Sequence, residues 1–217
     1  MGGGAWAGGG VVRGRKVEPM GGARGVGRTG ERTEVLPACD ETATEELTMD
    51  EMPSVVYTAT KDGAVAGYAV QTMTKQGFSG VVRLMVGFTP EGEVVNVNVL
   101  EQSETPGLGT KMTEEGNPLL KSIQGQRLED KQLVDGRLAV RKDGGDVDAL
   151  TAATISSRAY VDAINRAWLA YKSVATGAAP ADVASRASQT AQRATAPART
   201  AGPDARATHR PASRERG

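Results

Sequence analysis

The sequence predicts an α+β fold in which an antiparallel β-sheet packs against a C-terminal amphipathic helix, between disordered N- and C-terminal tails. Two hairpin patterns in the middle of the chain predict the sheet. Apolar residues at helical spacing near the end of that region predict the helix. Both ends of the chain lack periodic apolar residues, which predicts that they stay unfolded.

These patterns divide the 217-residue chain into three segments. Residues 1–30 are a Gly/Arg-rich disordered segment, 31–172 the folded domain, and 173–217 an Ala/Thr/Arg-rich disordered tail. The formal net charge of +0 combines unlike parts, because the folded segment holds 14 basic and 22 acidic residues while both tails are basic. Arginine without interleaved aromatic residues is typical of a solvated tail, so we expect no nucleic-acid partner.

Two hairpins form the predicted sheet. The first joins 55–59 to 65–73 through the sequence Lys-Asp-Gly, because Asp-Gly supplies the positive φ values of a tight turn. The second joins 81–88 to 93–100 through Thr-Pro-Glu-Gly, which places proline and glycine at favoured turn positions. The sheet is therefore expected to be antiparallel.

One face of the last strand and one face of the C-terminal helix are expected to be buried. In the strand, valines alternate with asparagines, so the asparagine face meets solvent or a ligand. In the helix, apolar residues recur at spacings of 3, 4 and 3. These residues are Val95, Val97 and Val99 in the strand, and Val161, Ile164, Trp168 and Tyr171 in the helix, where they indicate core packing.

Residues 101–111, with the sequence EQSETPGLGTK, interrupt the strand pattern. Their proline and glycines stop regular structure, and the glycines allow the backbone to approach a bound group closely. On composition alone a tight loop is the simpler interpretation, because a Gly-rich loop is not by itself a phosphate site. A short helix around 113–123 and a strand at 137–140 are predicted to follow.

The sequence DALTAATISS at 148–157 places three hydroxyl residues among small apolar ones, just ahead of the helix. A single hydroxyl would serve as a helix cap, but three of them indicate a site for an anion. A helix N-terminus offers unpaired N–H groups and the positive end of its dipole, and both stabilise a phosphate. Thr154 is expected to present a nucleophilic hydroxyl at this position.

The counts of cysteine and histidine exclude several kinds of site. Cys39 is the only cysteine and His209 the only histidine. An internal disulfide framework, a Cys-based metal site and a His-dependent triad are therefore excluded within the chain. We expect no metal site and no catalytic residue. As written, the sequence also shows no apolar stretch of about 18 residues and no export signal.

The loop and the hydroxyl cluster together resemble a known family, the FMN-binding domain found in the G subunit of the Rnf electron-transport complex. The C subunit of the sodium-pumping NADH:quinone oxidoreductase is a relative. The resemblance covers about residues 33–172. The family's flavinylation motif has the form Asp-x-x-Ser/Thr-Gly/Ala-Ala-Thr-x-Ser/Thr. It is filled here by Asp148, Thr151, Ala152, Ala153, Thr154 and Ser156.

The resemblance implies a covalently bound FMN. In the family, a Mg-dependent flavin transferase moves FMN from FAD to the last threonine of the motif as a phosphoester, and Thr154 matches that threonine. Asp148 and Thr151 match the part that the transferase recognises. A second signature, which lies against the flavin in the family, is matched by Glu104, Thr105, Gly107, Leu108 and Gly109.

The resemblance also implies a function. The chain would be an electron-transfer subunit of a membrane-bound, ion-translocating ferredoxin:NAD oxidoreductase of the Rnf type, and would not be catalytic alone. Its partners would be the other membrane subunits and the flavin transferase, and the domain would lie on the extracytoplasmic face of the inner membrane. Two alternatives stay open: a stand-alone extracytoplasmic FMN-binding electron shuttle, and an unflavinylated interaction module that docks on a membrane complex.

The chain departs from the family pattern at two places. Ala152 stands where glycine is commoner, and we expect this added methyl group to cause a small steric change. Gly/Arg-rich sequence stands ahead of the EVLP segment at 34–37, where relatives carry a membrane-spanning helix.

Overall fold

The computed structural model describes residues 11–19, 35–36, 39–49 and 52–177. The rest of both predicted tails, including His209, lies outside the described residues. The strands are β1 (Val11–Pro19), β2 (Glu41–Met49), β3 (Met52–Lys61), β4 (Ala64–Thr74), β5 (Val82–Phe88), β6 (Val94–Glu101), β7 (Leu133–Val134) and β8 (Arg137–Leu138). The α-helices are α1 (Pro118–Lys121) and α2 (Thr154–Thr176), and 3₁₀ turns lie at Gly109–Thr113, Leu128–Asp130 and Arg141–Asp143.

Within the described part of the chain, β1 to β6 form one antiparallel sheet in sequence order. The helix α2 packs on one face of this sheet, against β3, β4 and β5. The predicted α+β class, with an antiparallel sheet and a C-terminal helix, is confirmed. Strands β7 and β8 form a separate two-stranded ribbon.

The two predicted hairpins are present, and the strands of the first are longer than the sequence indicates. Asp62 and Gly63 both have positive φ, at 51° and 78°, and Lys61 pairs with Ala64 across them. This is the backbone that an Asp-Gly turn favours between twisted strands. In the second hairpin, the amide of Gly92 donates to the carbonyl of Thr89 at 3.0 Å.

The side-chain alternation in β6 differs from the expected one at Val95. The pairing of Phe88 with Val94 and of Gly87 with Asn96 leaves Val95 as an extra residue. Such a β-bulge reverses the direction of the side chains that follow it. Val95 is therefore 38 % exposed, while Val94 and Val97 reach the core.

Strand β1 lies within residues 1–30, the segment predicted to be disordered from its lack of an apolar period. It pairs with β2 along nearly its whole length, from Val11 with Thr48 to Pro19 with Glu41. The open edge of β2 offers unpaired backbone groups, and pairing with them does not require an apolar period. At the other end, α2 continues to Thr176, beyond the boundary placed at 172, and ends where Gly177 adopts φ of 65°.

The short elements between β6 and α2 are smaller than predicted. The helix expected around 113–123 is the single turn α1, in which the side chain of Asn117 accepts a hydrogen bond from the Leu120 amide at 3.0 Å. The strand expected at 137–140 is the two-residue β8, because its amide and carbonyl groups at Leu138 bond to the side chain of Asn165 at 2.8 and 2.9 Å.

The main core lies between α2 and the sheet, and a smaller one lies on the opposite face. In the main core Tyr171 stacks on Phe88 with ring centroids 4.8 Å apart, and Trp168 is buried beside it. The expectation that Trp168 and Tyr171 are core residues is confirmed. On the other face, the backbone of Val35 lies so close to Gly87 that an added Cβ would be 2.2 Å from its carbonyl oxygen.

Candidate functional site

The two sequence motifs meet at the N-terminal end of α2. Glu104 is almost fully buried there, and its carboxylate accepts a hydrogen bond from the hydroxyl of Ser156. The same carboxylate accepts from the amides of Phe78 and Ser79, both at 3.1 Å. One side chain thus joins the loop after β4, the loop after β6 and the first turn of α2.

Gly107 and Gly109 have different roles in the loop after β6. A Cβ on Gly109 would lie 2.5 Å from the hydroxyl of Ser156 and 2.6 Å from Cβ of Glu104, so this glycine allows the loop to pack on α2. Gly107 has φ of 72°, and a Cβ there would meet no atom within 4 Å. Gly109 is therefore a packing residue, whereas Gly107 faces open space.

The loop is also a tight turn, as its composition indicates. The carbonyl of Thr105 accepts hydrogen bonds from the amides of Leu108 at 3.1 Å and Thr110 at 3.4 Å. The amide of Gly107 donates to the hydroxyl of Thr110 at 2.9 Å. These turn bonds leave the Leu108 side chain 38 % exposed. The segment is therefore a tight turn and also presents an accessible side chain at the site beside α2.

Thr154 is the first residue of α2 and is partly exposed. Ala153 precedes it as the N-cap residue and supplies no side-chain cap. The backbone around it is held instead by Ser157, whose hydroxyl accepts from the Leu150 amide at 2.9 Å and donates to the Ala153 carbonyl at 2.8 Å. The first amides of a helix lack intrahelical acceptors, so they are available to an anion at Thr154.

Ala152 adopts φ of 59°, which lies in the left-handed region. An L-residue with a Cβ is strained there, whereas glycine is not. The methyl group of alanine therefore adds a conformational cost at this position to the small steric change expected from the sequence. The side chain itself is exposed.

The remaining hydroxyl and carboxyl groups of the motif have separate environments. Ser156 is buried and donates a hydrogen bond to Glu104, while Thr151 is exposed. Asp148 forms an ion pair with Arg141 and stays half-exposed. Among Thr151, Thr154 and Ser156, the structure therefore leaves the two threonines accessible from outside.

Charged residues that the sequence did not single out lie next to Thr154. The ammonium Nζ of Lys142 donates to Thr154 Oγ1 at 3.2 Å. Asp143 accepts two hydrogen bonds from Arg158, at 2.7 and 2.6 Å. The bond from Arg158 holds the pKa of the Asp143 carboxyl below its ordinary value. The only sequence signal at Lys142 is the polar, Gly-containing composition of residues 142–146, which is typical of a turn.

Exposed apolar side chains also surround this end of α2. Phe78 is 63 % exposed and Ile155 is 47 % exposed, and Leu108 adds a third large apolar surface. Phe78 and Leu108 lie on the two loops that Glu104 joins to α2, and Ile155 follows Thr154 directly. Phe78 and Ile155 were not predicted from the sequence; the two glycines of GFSG at 77–80 are a signal that could have indicated a loop at Phe78.

Comparison with known proteins identifies the region that contains this site. Residues 77–168 match the family of the FMN-binding domain. That range begins at the loop that carries Phe78 and ends within α2, so it includes both motifs. The family resemblance predicted from the motifs is confirmed.

Curated relatives of this chain are named as the G subunit of an ion-translocating oxidoreductase complex. A relative from Haemophilus influenzae (strain Rd) is 41% identical over 114 residues, which cover 52% of this chain and 54% of the relative. One from Shewanella loihica is 40% identical over 125 residues, covering 58% and 57%. One from Pasteurella multocida is 40% identical over 111 residues, covering 51% and 54%. The chain spans about half the length of these relatives.

Two further findings concern all the residues that the structure describes. Across the described residues, no cluster of three or more His, Cys, Asp or Glu side chains could hold a metal ion. In that same part of the chain, no helix has the length and apolar character needed to cross a membrane.

Proposed function

We propose that the chain carries FMN as a phosphoester on Thr154 and passes electrons as a subunit of an ion-translocating oxidoreductase complex. The observation that carries the proposal is the accessible hydroxyl of Thr154 at the start of α2, within the region that matches the FMN-binding domain. The relatives' name supports the assignment to a complex.

The residues of the site fit a phosphate ester. Thr154 Oγ1 bonds to the phosphorus of the FMN half of FAD, the bond between the two phosphates breaks, AMP leaves and the hydroxyl proton passes to solvent. Ala152, Ala153 and the first amides of α2 leave room and donors for the phosphate. Ser156 cannot take this role, because its buried hydroxyl is bonded to Glu104.

The exposed apolar residues fit the flavin ring. Phe78, Leu108 and Ile155 present apolar surface on three segments around Thr154, and an aromatic heterocycle placed there would cover them. Gly107 faces open space beside Leu108, so the loop offers room for such a ring. When bound, the isoalloxazine supplies the electron-transfer chemistry. The protein then holds, orients and shields it.

Two exposed motif residues fit recognition by a maturation enzyme. Thr151 and Asp148 lie at the surface before α2, where an Mg-dependent flavin transferase could contact them. We propose that the other partners are membrane subunits of an Rnf-type ferredoxin:NAD oxidoreductase, and that the domain lies on the extracytoplasmic face of the inner membrane. In that setting the chain relays electrons and has no catalytic activity alone.

Threonine and serine variants test the attachment. We expect co-expression with a flavin transferase to give a protein band that fluoresces under ultraviolet light after denaturation. Thr154→Ala should abolish this fluorescence, and Thr154→Ser should retain part of it because a hydroxyl remains. Thr176→Ala is the matched control, since it removes an exposed hydroxyl at the other end of α2, outside both motifs.

Two results would contradict the proposal. One is a fluorescent Thr154→Ala protein. The other is an unmodified wild-type chain from cells in which the transferase modifies a control substrate. Co-purification with hydrophobic subunits tests the assignment to a complex, and a flavinylated chain that always purifies alone would favour the electron-shuttle alternative.

A further inference from the structure

The 3₁₀ turn Arg141–Asp143 directs three consecutive charged side chains to three different partners. Arg141 pairs with Asp148 in the motif. Asp143 pairs with Arg158 in α2, through two hydrogen bonds. Lys142, between them, donates to Thr154 Oγ1 at 3.2 Å.

The two ion pairs hold the turn on both sides of Thr154. Asp148 precedes Thr154 in the chain, and Arg158 follows it by one helical turn. The backbone adds a third connection, because the Arg141 amide donates to the Val147 carbonyl at 3.0 Å. The position of Lys142 relative to the threonine hydroxyl is therefore fixed by contacts on both of its neighbours.

The 3₁₀ turn Arg141–Asp143 and its two ion-pair partners together carry one positive charge in excess. Arg141 is balanced by Asp148, and Arg158 by Asp143. Among the described residues, Lys142 forms no ion pair with a carboxylate, and its hydrogen-bond partner is the neutral hydroxyl of Thr154. A phosphodiester on that hydroxyl carries one negative charge at neutral pH, which matches the excess.

We propose that Lys142 is a positioning residue that holds the phosphate of the flavin ester, an inference that rests on the proposed attachment at Thr154. Once the ester forms, the threonine oxygen bridges to phosphorus, and the two charged oxygens of the phosphate become the better acceptors. An ammonium group has three rotatable donors and can move from the hydroxyl to these oxygens. The lysine would thus fix the phosphate against α2 and limit the swing of the ring.

A thermodynamic cycle tests this role. Wild type, Lys142→Ala, Lys142→Arg and Lys61→Ala are each prepared with and without flavin, and the gain in melting temperature on flavinylation is measured. Lys61 is the matched control, because it is an exposed lysine at the distant β3–β4 turn. We expect the gain to be about 1–4 °C smaller in Lys142→Ala than in wild type, as for one exposed ion pair in a domain of this size.

The other variants and the salt dependence sharpen the test. Lys142→Arg should keep most of the gain, and Lys61→Ala should match wild type. The difference between wild type and Lys142→Ala should be larger at about 0.01 M than at about 1 M salt, because salt screens the pair. If the transferase modifies Lys142→Ala poorly or not at all while Lys142→Arg and Lys61→Ala are modified normally, the inference is supported as well.

Three results would overturn the inference, and they separate it from the proposed function. An equal gain in wild type and Lys142→Ala would show that the lysine does not hold the phosphate. Equal destabilisation of the flavin-free and flavinylated forms would show a structural role alone. Both results leave the attachment at Thr154 intact. A wild-type protein without flavin on Thr154 would instead remove both proposals.

Discussion

At the scale of single residues, the segment DALTAATISS at 148–157 is shaped by backbone conformation as well as by its hydroxyls. Ala152 lies in the left-handed region with φ of 59°, and it is one of three non-glycine residues with positive φ in the described part of the chain. The other two, Asp62 and Asp135, are both followed by glycine in tight turns. The chain bends at Ala152 so that α2 can begin at Thr154.

Replacing Ala152 with glycine should stabilise the protein. A left-handed backbone destabilises the folded state by about 1–2 kcal/mol when the residue is alanine, and glycine removes this strain. The extra freedom of glycine in the unfolded chain offsets roughly 0.5–1 kcal/mol of that gain. We expect the free energy of unfolding in urea to rise by about 0.5–1 kcal/mol. Ala149→Gly is the control, since Ala149 has no positive φ and should lose stability. A loss in Ala152→Gly would contradict this account of the bend.

Tyr160 shows a buried hydroxyl without a hydrogen-bond partner among the described residues. Such a group loses its hydration without compensation. We expect Tyr160→Phe to raise the free energy of unfolding by about 1 kcal/mol. Tyr171→Phe, which removes a hydroxyl that donates to the Pro90 carbonyl at 3.0 Å, should instead lower it by about 0.5–1.5 kcal/mol. Urea unfolding of both variants would show whether the two signs differ.

The same tyrosines give the pH dependence at the alkaline end. Burial raises the pKa of Tyr160 above its ordinary value, and raises that of Tyr171 to about 12. As the pH rises, both phenols therefore stay protonated in the folded state at pH values at which they would already be deprotonated in the unfolded state. Their contribution to stability is therefore complete below about pH 10 and is lost as the pH rises through the folded pKa. Tyr160→Phe should make the decline above pH 10 less steep.

At the scale of elements, α2 is tied to the sheet and to the β7–β8 ribbon by Asp162. This buried carboxylate accepts from Thr74 Oγ1 at 2.8 Å, Arg137 Nη2 at 2.7 Å and Arg166 Nε at 3.1 Å. Thr74 ends β4 and Arg137 begins β8. Three elements that are distant in sequence, β4, β8 and α2, therefore meet at one charged group. The other buried residues of α2 are mostly apolar.

Replacing Asp162 with asparagine should be strongly destabilising. The change removes the negative charge that faces two guanidinium groups, and Arg166 is itself only 5% exposed. We expect a loss of about 3 kcal/mol in the free energy of unfolding, as for a broken buried ion pair. Glu101→Gln, which breaks an exposed pair with Arg83, should cost about 0–1 kcal/mol. Equal effects of the two variants in urea would show that the Asp162 cluster contributes no more than a surface pair.

At the scale of the whole molecule, local patterns were predictable and distant contacts were not. The Asp62-Gly63 turn and the apolar stripe of α2 follow from adjacent residues, and both are present. β2 has the sequence ETATEELTM with few apolar residues, and it is a strand because it pairs with β3 along its entire length. Tertiary pairing of this kind overrides weak local propensity.

The candidate site also has features that were predictable from the sequence and contacts that were not. The hydroxyl of Thr154 and the two motifs could be found from sequence, because the motif residues lie within nine positions of one another. The hydrogen bonds from Phe78 and Ser156 to Glu104 span 26 and 52 positions, and no spacing rule indicates them. The contact of Lys142 with Thr154 depends on the ion pairs that hold its neighbours. Contacts set by the fold therefore had to come from the structure.

Tandem mass spectrometry of one peptide tests the central claim most directly. Trypsin cleaves after Lys142 and Arg158, which releases residues 143–158 with four hydroxyl residues: Thr151, Thr154, Ser156 and Ser157. After co-expression with the transferase, the account predicts one FMN phosphoester on this peptide, carried by every fragment that contains Thr154 and absent from fragments that stop before it. A flavin on Thr151, Ser156 or Ser157, or an unmodified peptide from protein that binds FMN noncovalently, would contradict it.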